Sequence, residues 1–254
     1  MKLRVLGCSG GELPGHRTTC FLVDGRLAID AGALTASLPL DELLAVDDII
    51  LTHSHFDHVK DVPLLSDLLV GRRKKPVRVH ASTECARTLR ESVFNDELWP
   101  DFTKIPHLAA PVIEIVPFDP ARAFRAGRYR VTPIPVAHPV ESVGFVLSDG
   151  KDSIAVSGDT GPTSRFWRRV NTEKRLRALL VELSFPNALQ GLADLSGHLT
   201  PRTLQGELAK VDRDGVPVLL YHLKPAHVAE LKRELAVLRM PHVRVLRRGD
   251  EFTF

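Results

Sequence analysis

The chain has 254 residues, 44% of them hydrophobic, and a formal net charge of +3. That is enough apolar material for a sizeable core, and the charge excess is too mild for a dedicated nucleic-acid binder. Three cysteines without paired spacing suggest neither a disulfide framework nor a thiolate zinc site, and no apolar run reaches the ~18 residues of a membrane span.

In chain order, MKLRVLGCSGG is too short and too broken by glycine for a signal peptide, so a soluble cytoplasmic protein is expected. LRVLG reads as a strand ending in a glycine-rich turn. TCFLVDGRLAID sets Asp24-Gly25 between two apolar runs, a hairpin signature. DDIILTH is a further strand. VPLLSDLLV places Leu64, Leu65, Leu68 and Leu69 on one expected helix face, and the basic run GRRKKPVR after it reads as a solvated loop. VRVHA reads as a strand and ECARTLRESVF as a helix. Strands return in VIEIVPF, YRVTPIPV and VGFVLSDGKDSIAVSGD, with a second hairpin signal at Asp149-Gly150, and RALLVELSF follows. Thr200-Pro201 opens a helix, with Thr as N-cap and Pro at the first helical position, and Leu204, Leu208 and Val211 recur on one face. VPVLLYH is a strand, AHVAELKRELAVL a helix, and VRVLRRGDEF one closing strand. No linker divides this order. It predicts an α/β fold in a single domain over residues 1–254, with two sheets face to face and helices on their outer faces.

The segment LTHSHFDH, residues 51–58, concentrates three histidines and an aspartate directly after an apolar run. In an extended segment alternate side chains share a face, so His53, His55 and Asp57 start on one side, and His58 leaves the alternation where the chain turns. Two histidines two apart suit one metal ion, and the adjacent Asp57-His58 pair suits a second close by. His138 ends VTPIPVAH, His222 ends VPVLLYH and Asp159 stands in IAVSGDTG. Each follows an apolar run, at a strand's end and so at the rim of a sandwich. Taken together they complete a site whose imidazole and carboxylate donors suit zinc, manganese or iron.

The pattern HSHFDH, a lone histidine, SGDT and a late histidine resembles the metallo-β-lactamase superfamily. Within it, GCSGG, IDAG, the histidine block followed by PLLSD, VELSFPN, GHLTP and YHLKP look like the class II cyclic-nucleotide phosphodiesterases, with departures at Phe56, Asp61, Pro63 and Asp67. The resemblance implies a four-layer αββα sandwich with the site at one edge. It implies two divalent metal ions, zinc first, with manganese or iron as alternatives. His53, His55 and His138 would hold one ion, Asp57, His58 and His222 the other, and Asp159 would bridge them. The implied activity is hydrolysis of 3′,5′-cyclic nucleotides, cAMP or cGMP, to 5′-monophosphates by a metal-bound hydroxide. Two divalent ions less Asp57, Asp159 and hydroxide leave a charge of about +1, which suits a phosphodiester monoanion.

Asp57, Glu182 and His198 are the expected catalytic residues. Glu182 puts a carboxylate inside an apolar run, where an unpaired charge is costly, and His198 stands just before a helix. Phosphodiesterases of the superfamily, ribonuclease Z among them, use a Glu–His pair that could protonate the leaving oxygen. The opposing reading pairs Glu182 with a surface arginine and leaves His198 in a loop. Asp30 is expected beneath the metals, orienting a ligand histidine or water, against a plain turn-forming role. Ser9 and Gly10 are expected near the substrate, their amides cradling phosphate, against a plain tight turn. His16, His80, His107, His227 and His242 receive no role, with His227 and His242 facing solvent.

Ribonuclease Z is the first rival, but only 20 residues separate His138 from Asp159, and a hairpin uses them, where that enzyme usually inserts a long arm. A thioester hydrolase and a non-catalytic module are further rivals. The expected partner is a small-molecule cyclic nucleotide, with no membrane and no nucleic acid; the oligomeric state stays open, a homodimer allowed.

Overall fold

A computed structural model of the chain describes residues 1–213 and 215–254. At Asp24 and Gly25 φ is positive, 47° and 68°, and the tight turn they make joins β2 (Cys20–Val23) to β3 (Leu27–Ile29) as an antiparallel pair. Their neighbours are β1 (Lys2–Gly7), β4 (Asp48–Ile50), β5 (Val77–Ser82), β6 (Ile113–Phe118) and β14 (Glu251–Thr253), in the order β14-β1-β2-β3-β4-β5-β6. A second sheet runs β13-β12-β11-β10-β9-β8-β7, from β7 (Phe124–Ala126), β8 (Tyr129–Pro135), β9 (Val143–Ser148), β10 (Ser153–Val156), β11 (Leu176–Glu182), β12 (Val218–Tyr221) and β13 (Val243–Val245). Asp149-Gly150 lies in the turn between the antiparallel β9 and β10.

Side-chain alternation divides the apolar residues of these strands among three cores. β2 sends Phe21 and Val23 between the sheets and Cys20 and Leu22 to the outer face; β3 sends Leu27 and Ile29 inward and Ala28 outward. In the second sheet Ile154 and Val156 face inward and Ala155 outward. A one-residue slip would reverse every one of these assignments, so burial on both faces pins the register. Between the sheets, Phe21 and Tyr221 meet edge to face at 5.2 Å.

Helices cover both outer faces. On the first sheet lie α1 (Leu40–Leu43), α2 (Phe56–Val59), α3 (Asp61–Leu69) and α4 (Thr83–Thr88), the last continuing into a wider turn, Leu89–Val93. The second sheet carries α5 (Arg165–Asn171), α6 (Gln190–Ser196), α7 (Pro201–Leu208) and α8 (Val228–Leu238). Phe166, Trp167, Leu204 and Leu231 from these helices fill its outer core. At the start of α7 Thr200 accepts from Thr203 N, and Thr203 Oγ1 accepts from Thr200 N, a reciprocal cap that fixes where the helix begins. The result is the four-layer αββα order.

Three local expectations change. Val62, Leu65 and Leu69 are the buried face of α3, whereas Leu64 and Leu68 are 42% and 39% exposed. A helix turning 100° per residue cannot put four leucines in two adjacent pairs on one narrow stripe against a sheet. Phe124–Ala126 forms an edge strand where none was expected, three residues being too few to show an alternation. The closing segment makes two strands in two different sheets: β13 pairs with β12, and β14 pairs with β1, with Gly249 turning between them at φ 88°. Among the described residues, no helix is long and apolar enough to cross a membrane.

Candidate metal centre

The strand β4 stops at Ile50, the chain bends at Thr52, and His55 begins α2 at φ −61° and ψ 144°. Strand-like alternation therefore does not run on to Asp57. Asp57 and His58 sit on a helical turn, not on a continuation of the strand, and His58 N donates to His55 O at 2.9 Å. His138 follows β8 in a loop, Asp159 follows β10, and His222 leaves β12 directly at φ 68°.

Packing the two sheets brings all seven side chains together. His55 Nδ1 and His138 Nε2 approach to 3.1 Å, and the ring of His53 is centred 4.6 Å and 4.8 Å from theirs. On the other side His222 Nε2 lies 3.4 Å from His58 Nε2 and 3.3 Å from Asp57 Oδ2. Asp159 Oδ2 lies between, 3.1 Å from His222 Nε2, 3.2 Å from His58 Nε2 and 3.8 Å from His53 Nε2. The donor atoms of His53, His55 and His138 lie within 4.8 Å of one another, as do those of Asp57, His58 and His222. His53 Nε2 and Asp159 Oδ1 are buried without a hydrogen-bond partner. A buried orphan of this kind costs ~1–3 kcal/mol unless something pairs with it. A divalent cation would pair with both, and donor atoms of His53, His58 and Asp159 lie within 4.8 Å of one another, so the residues fit divalent metal.

The electrostatics suit ligation at His53, His55 and His138, whereas His58 favours a proton that a metal ion would have to displace. Burial, aided by His58, holds the imidazole of His53 well below its ordinary pKa, and burial pushes His138 down to about 4 and lowers His55. Neutral imidazole is the ligating form. Burial alone would raise Asp159 and Asp57, but His222 and His58 beside them outweigh it and keep both carboxylates ionised. At His58 burial opposes charge, yet Asp159 and Asp30 outweigh it and raise the pKa well above the usual value.

Hydrogen bonds behind the donors fix their orientation. Asp30, at a left-handed φ of 58°, accepts from His58 Nδ1 at 2.8 Å and from Thr52 N at 2.8 Å, which turns His58 Nε2 toward the centre. His138 Nδ1 donates to Gly197 O at 3.0 Å, with the same effect. Thr52 Oγ1, 3.0 Å from His53 Nδ1 and 2.9 Å from Asp30 Oδ2, is a contact the sequence reading missed.

Glu182 ends β11 fully buried. Its Oε1 accepts from His198 Nδ1 and Leu199 N, both at 3.1 Å, and from Thr160 N at 3.3 Å. Its partner is thus His198 and not a surface arginine. Burial works against the charge of His198, but Glu182 outweighs it and raises the pKa. The His198 ring is centred 5.2 Å from both His138 and His222. Ser184, also missed, sits among them: its Oγ donates to Glu182 Oε2 at 2.9 Å and lies 2.9 Å from His222 Nδ1. With its proton given to Glu182, that oxygen accepts from His222 Nδ1 and leaves Nε2 facing the centre. The available signal was its spacing: residues 182 and 184 share one side of an extended chain.

Ser9 and Gly10 do not offer the free amides expected of them. Cys8 N and Ser9 N donate to Arg17 O, and Gly10 N donates to Leu223 O at 3.1 Å. Gly10 instead backs a donor: a Cβ there would stand 2.5 Å from His222 O and 2.9 Å from its ring. His80, given no role, is buried against Asp48 at 2.7 Å, and His227 is half-buried near Phe185 and not solvent-facing. A cavity of about 830 Å³ is lined by residues such as Asp47, Arg73 and Tyr129 and by none of the seven donors, so it is remote from this chemistry.

Residues 21–215 match the family model described as the beta-lactamase superfamily domain. The chain belongs to the metallo-β-lactamase superfamily. It is a hydrolase of that superfamily, whose fold implies divalent metal binding. A metallo-β-lactamase-superfamily relative, the probable 3′,5′-cyclic-nucleotide phosphodiesterase of Yersinia pestis, is 28% identical over 249 residues, covering 86% of this chain and 69% of that protein. The 3′,5′-cyclic-nucleotide phosphodiesterase 1 of Saccharomyces cerevisiae is 26% identical over 220 residues, covering 70% of this chain and 56% of the yeast protein. Unliganded yeast PDE1 has the same fold, with a TM-score of 0.82 at 21% identity over 100% of this chain and 99% of that one. The metallo-β-lactamase-fold protein YhfI of Bacillus subtilis has a TM-score of 0.77 at 19% identity over 99% of both chains.

Proposed function

We propose that this chain is a dinuclear phosphodiesterase that hydrolyses 3′,5′-cyclic nucleotides to 5′-monophosphates. His53, His55 and His138 would hold one divalent ion, Asp57, His58 and His222 the other, and Asp159 would lie between. Bound there, such ions supply Lewis acidity toward the phosphoryl oxygens and acidify water near neutral pH.

The observation that carries the reading is the buried Glu182–His198 pair beside the donors. In hydrolysis the P–O3′ bond breaks, a water oxygen joins phosphorus, and the 3′ oxygen takes up a proton. A ribose alkoxide leaves poorly without that proton. His198, tied to Glu182 through Nδ1 and raised in pKa, keeps a proton on Nε2 for the leaving oxygen. A phosphodiesterase needs this acid, whereas a thioester hydrolase expelling a thiolate does not. The cyclic-nucleotide names of the relatives from Yersinia and yeast support the same substrate class. So does the short hairpin connection between His138 and Asp159.

The test is a panel of cyclic AMP, cyclic GMP, a linear dinucleotide, a transfer-RNA precursor and a thioester, assayed with metal-loaded protein alongside elemental analysis. Two ions per chain and fastest turnover of a cyclic nucleotide are expected. Cleavage of the transfer-RNA precursor with neither cyclic nucleotide turned over would overturn the reading.

A further inference from the structure

A second cavity, about 540 Å³, lies at the same rim as the donors and has no part in the chemistry above. Its place follows from the sheet register. β12 and β13 run parallel with Leu220 opposite Val245, so the residues after Val245 leave the sheet at the end where His222 leaves it. Residues 8–10 form the wall between the two sites. His222 N donates to Cys8 O at 2.7 Å, and Ser9 bridges to Leu223. Beyond that wall the cavity is lined by Arg17, Lys232, Arg244, Arg247 and Arg248.

The charges of this lining are not balanced. Arg244 pairs with Asp250 at 2.7 Å. Among the described residues, no carboxylate oxygen lies within 4.0 Å of a side-chain nitrogen of Arg17, Lys232, Arg247 or Arg248. The chain as a whole has 31 acidic side chains for 34 Lys and Arg, so this is a local segregation and not a shortage of carboxylates. Arg17 is held in place by a bond from Nη1 to His16 O at 3.0 Å, while its buried Nε has no partner. Like charges gathered in a concavity repel one another and raise the local concentration of anions. Guanidinium forks match phosphate oxygens two at a time. The floor is apolar, from Leu223, Val245 and Leu246, as a nucleoside next to a phosphate would require. Burial and Asp250 push the Cys8 thiol up to about 12, so no thiolate competes in the pocket.

We infer that this pocket binds the phosphomonoester group of a small-molecule nucleotide, with Arg17, Lys232, Arg247 and Arg248 as its cationic contacts. The phosphate belongs either to a separate effector or to a substrate that carries a second phosphate besides the bond being cleaved. The inference does not depend on cyclic nucleotides being the substrate.

Adenosine 5′-monophosphate is the probe, titrated by calorimetry into metal-loaded wild type and into the double variant Lys232→Ala/Arg247→Ala. Neither residue is a donor or part of the acid pair. Wild type should bind one more nucleotide per chain than the variant, or bind it at least about tenfold more tightly. That excess should shrink at high salt. Two further arms identify the source. A change in nitrophenyl phosphodiester turnover on adding the nucleotide, in wild type only, marks an effector. A lower KM for a 5′-phosphorylated linear dinucleotide than for its unphosphorylated form, again in wild type only, marks a substrate phosphate. Equal stoichiometry and affinity in both proteins at low and high salt would overturn the inference, whatever the substrate panel returns.

Discussion

His198 Nδ1 has one acceptor of full charge, Glu182 Oε1, and Ser184 joins that pair to His222 on the metal side. If His198 is the general acid proposed above, Glu182 is the group that keeps its ring protonated and oriented. Removing His198 should then matter in proportion to how much the leaving oxygen needs a proton. His198→Ala is expected to slow cyclic-nucleotide hydrolysis by about 10²- to 10⁴-fold while comparatively sparing a nitrophenyl phosphodiester, whose phenolate leaves unaided. Glu182→Gln should give the same asymmetry, more weakly. Steady-state rates on both substrates decide it, and equal loss on both would place His198 in binding or metal support instead.

The parallel strands β4 and β5 are tied together by Asp48, which is buried at the start of β4. Its Oδ1 accepts from His80 Nε2 and its Oδ2 from Arg78 Nη2, each at 2.7 Å, and Arg78 is its register partner across the sheet. Burial raises the pKa of Asp48, but His80 and Arg78 outweigh it and hold the carboxyl below the ordinary aspartate value of 3.8. A depressed folded pKa means that the stabilisation is fully present above the unfolded value and fades as pH falls through the folded one. Asp48→Asn should therefore cost about 1–3 kcal/mol at neutral pH and less in acid. Urea denaturation at pH 7 and near pH 3 tests the sign. An equal cost at both would mean that shape and not charge carries the contribution.

At the scale of the molecule, the seven donors leave both sheets at one rim, so an ion there would tie the two halves of the sandwich together. His53, His58, Asp159 and His222 are almost wholly buried within a few ångströms of one another, and the folded state alone can hold them so. Ligand that binds only the folded state stabilises it, by ~2.7 kcal/mol at a hundredfold excess over Kd. Chelation should lower Tm by about 5–10 °C, with recovery on adding back zinc or manganese. Calorimetry with and without chelator measures this, and an unchanged Tm in protein shown to have lost its metal would contradict it.

What the sequence determined by itself was local or periodic. Apolar runs located the strand ends, and a histidine or aspartate placed just past such an end has little choice but to stand at the rim, which is why His53, His138, Asp159 and His222 were legible. The Asp24-Gly25 turn and the Thr200 cap were legible for the same reason, since each is decided within a few residues. The tertiary structure decided whatever needed two elements at once. Ser184 and Thr52 are ordinary small polar residues until packing sets them 2.9–3.0 Å from a donor imidazole. The amides of Ser9 and Gly10 looked free until Arg17 and Leu223 arrived to accept them. One expected closing strand, VRVLRRGDEF, became two because each three-residue piece takes its identity from the edge it meets, β12 or β1. The cations at positions 17, 232, 247 and 248 gather where the connection between β1 and β2, the helix α8 and the segment after β13 meet at one rim. Hydrogen bonds and fields act over ångströms in space, and only the packed sheets set which distant residues come that close.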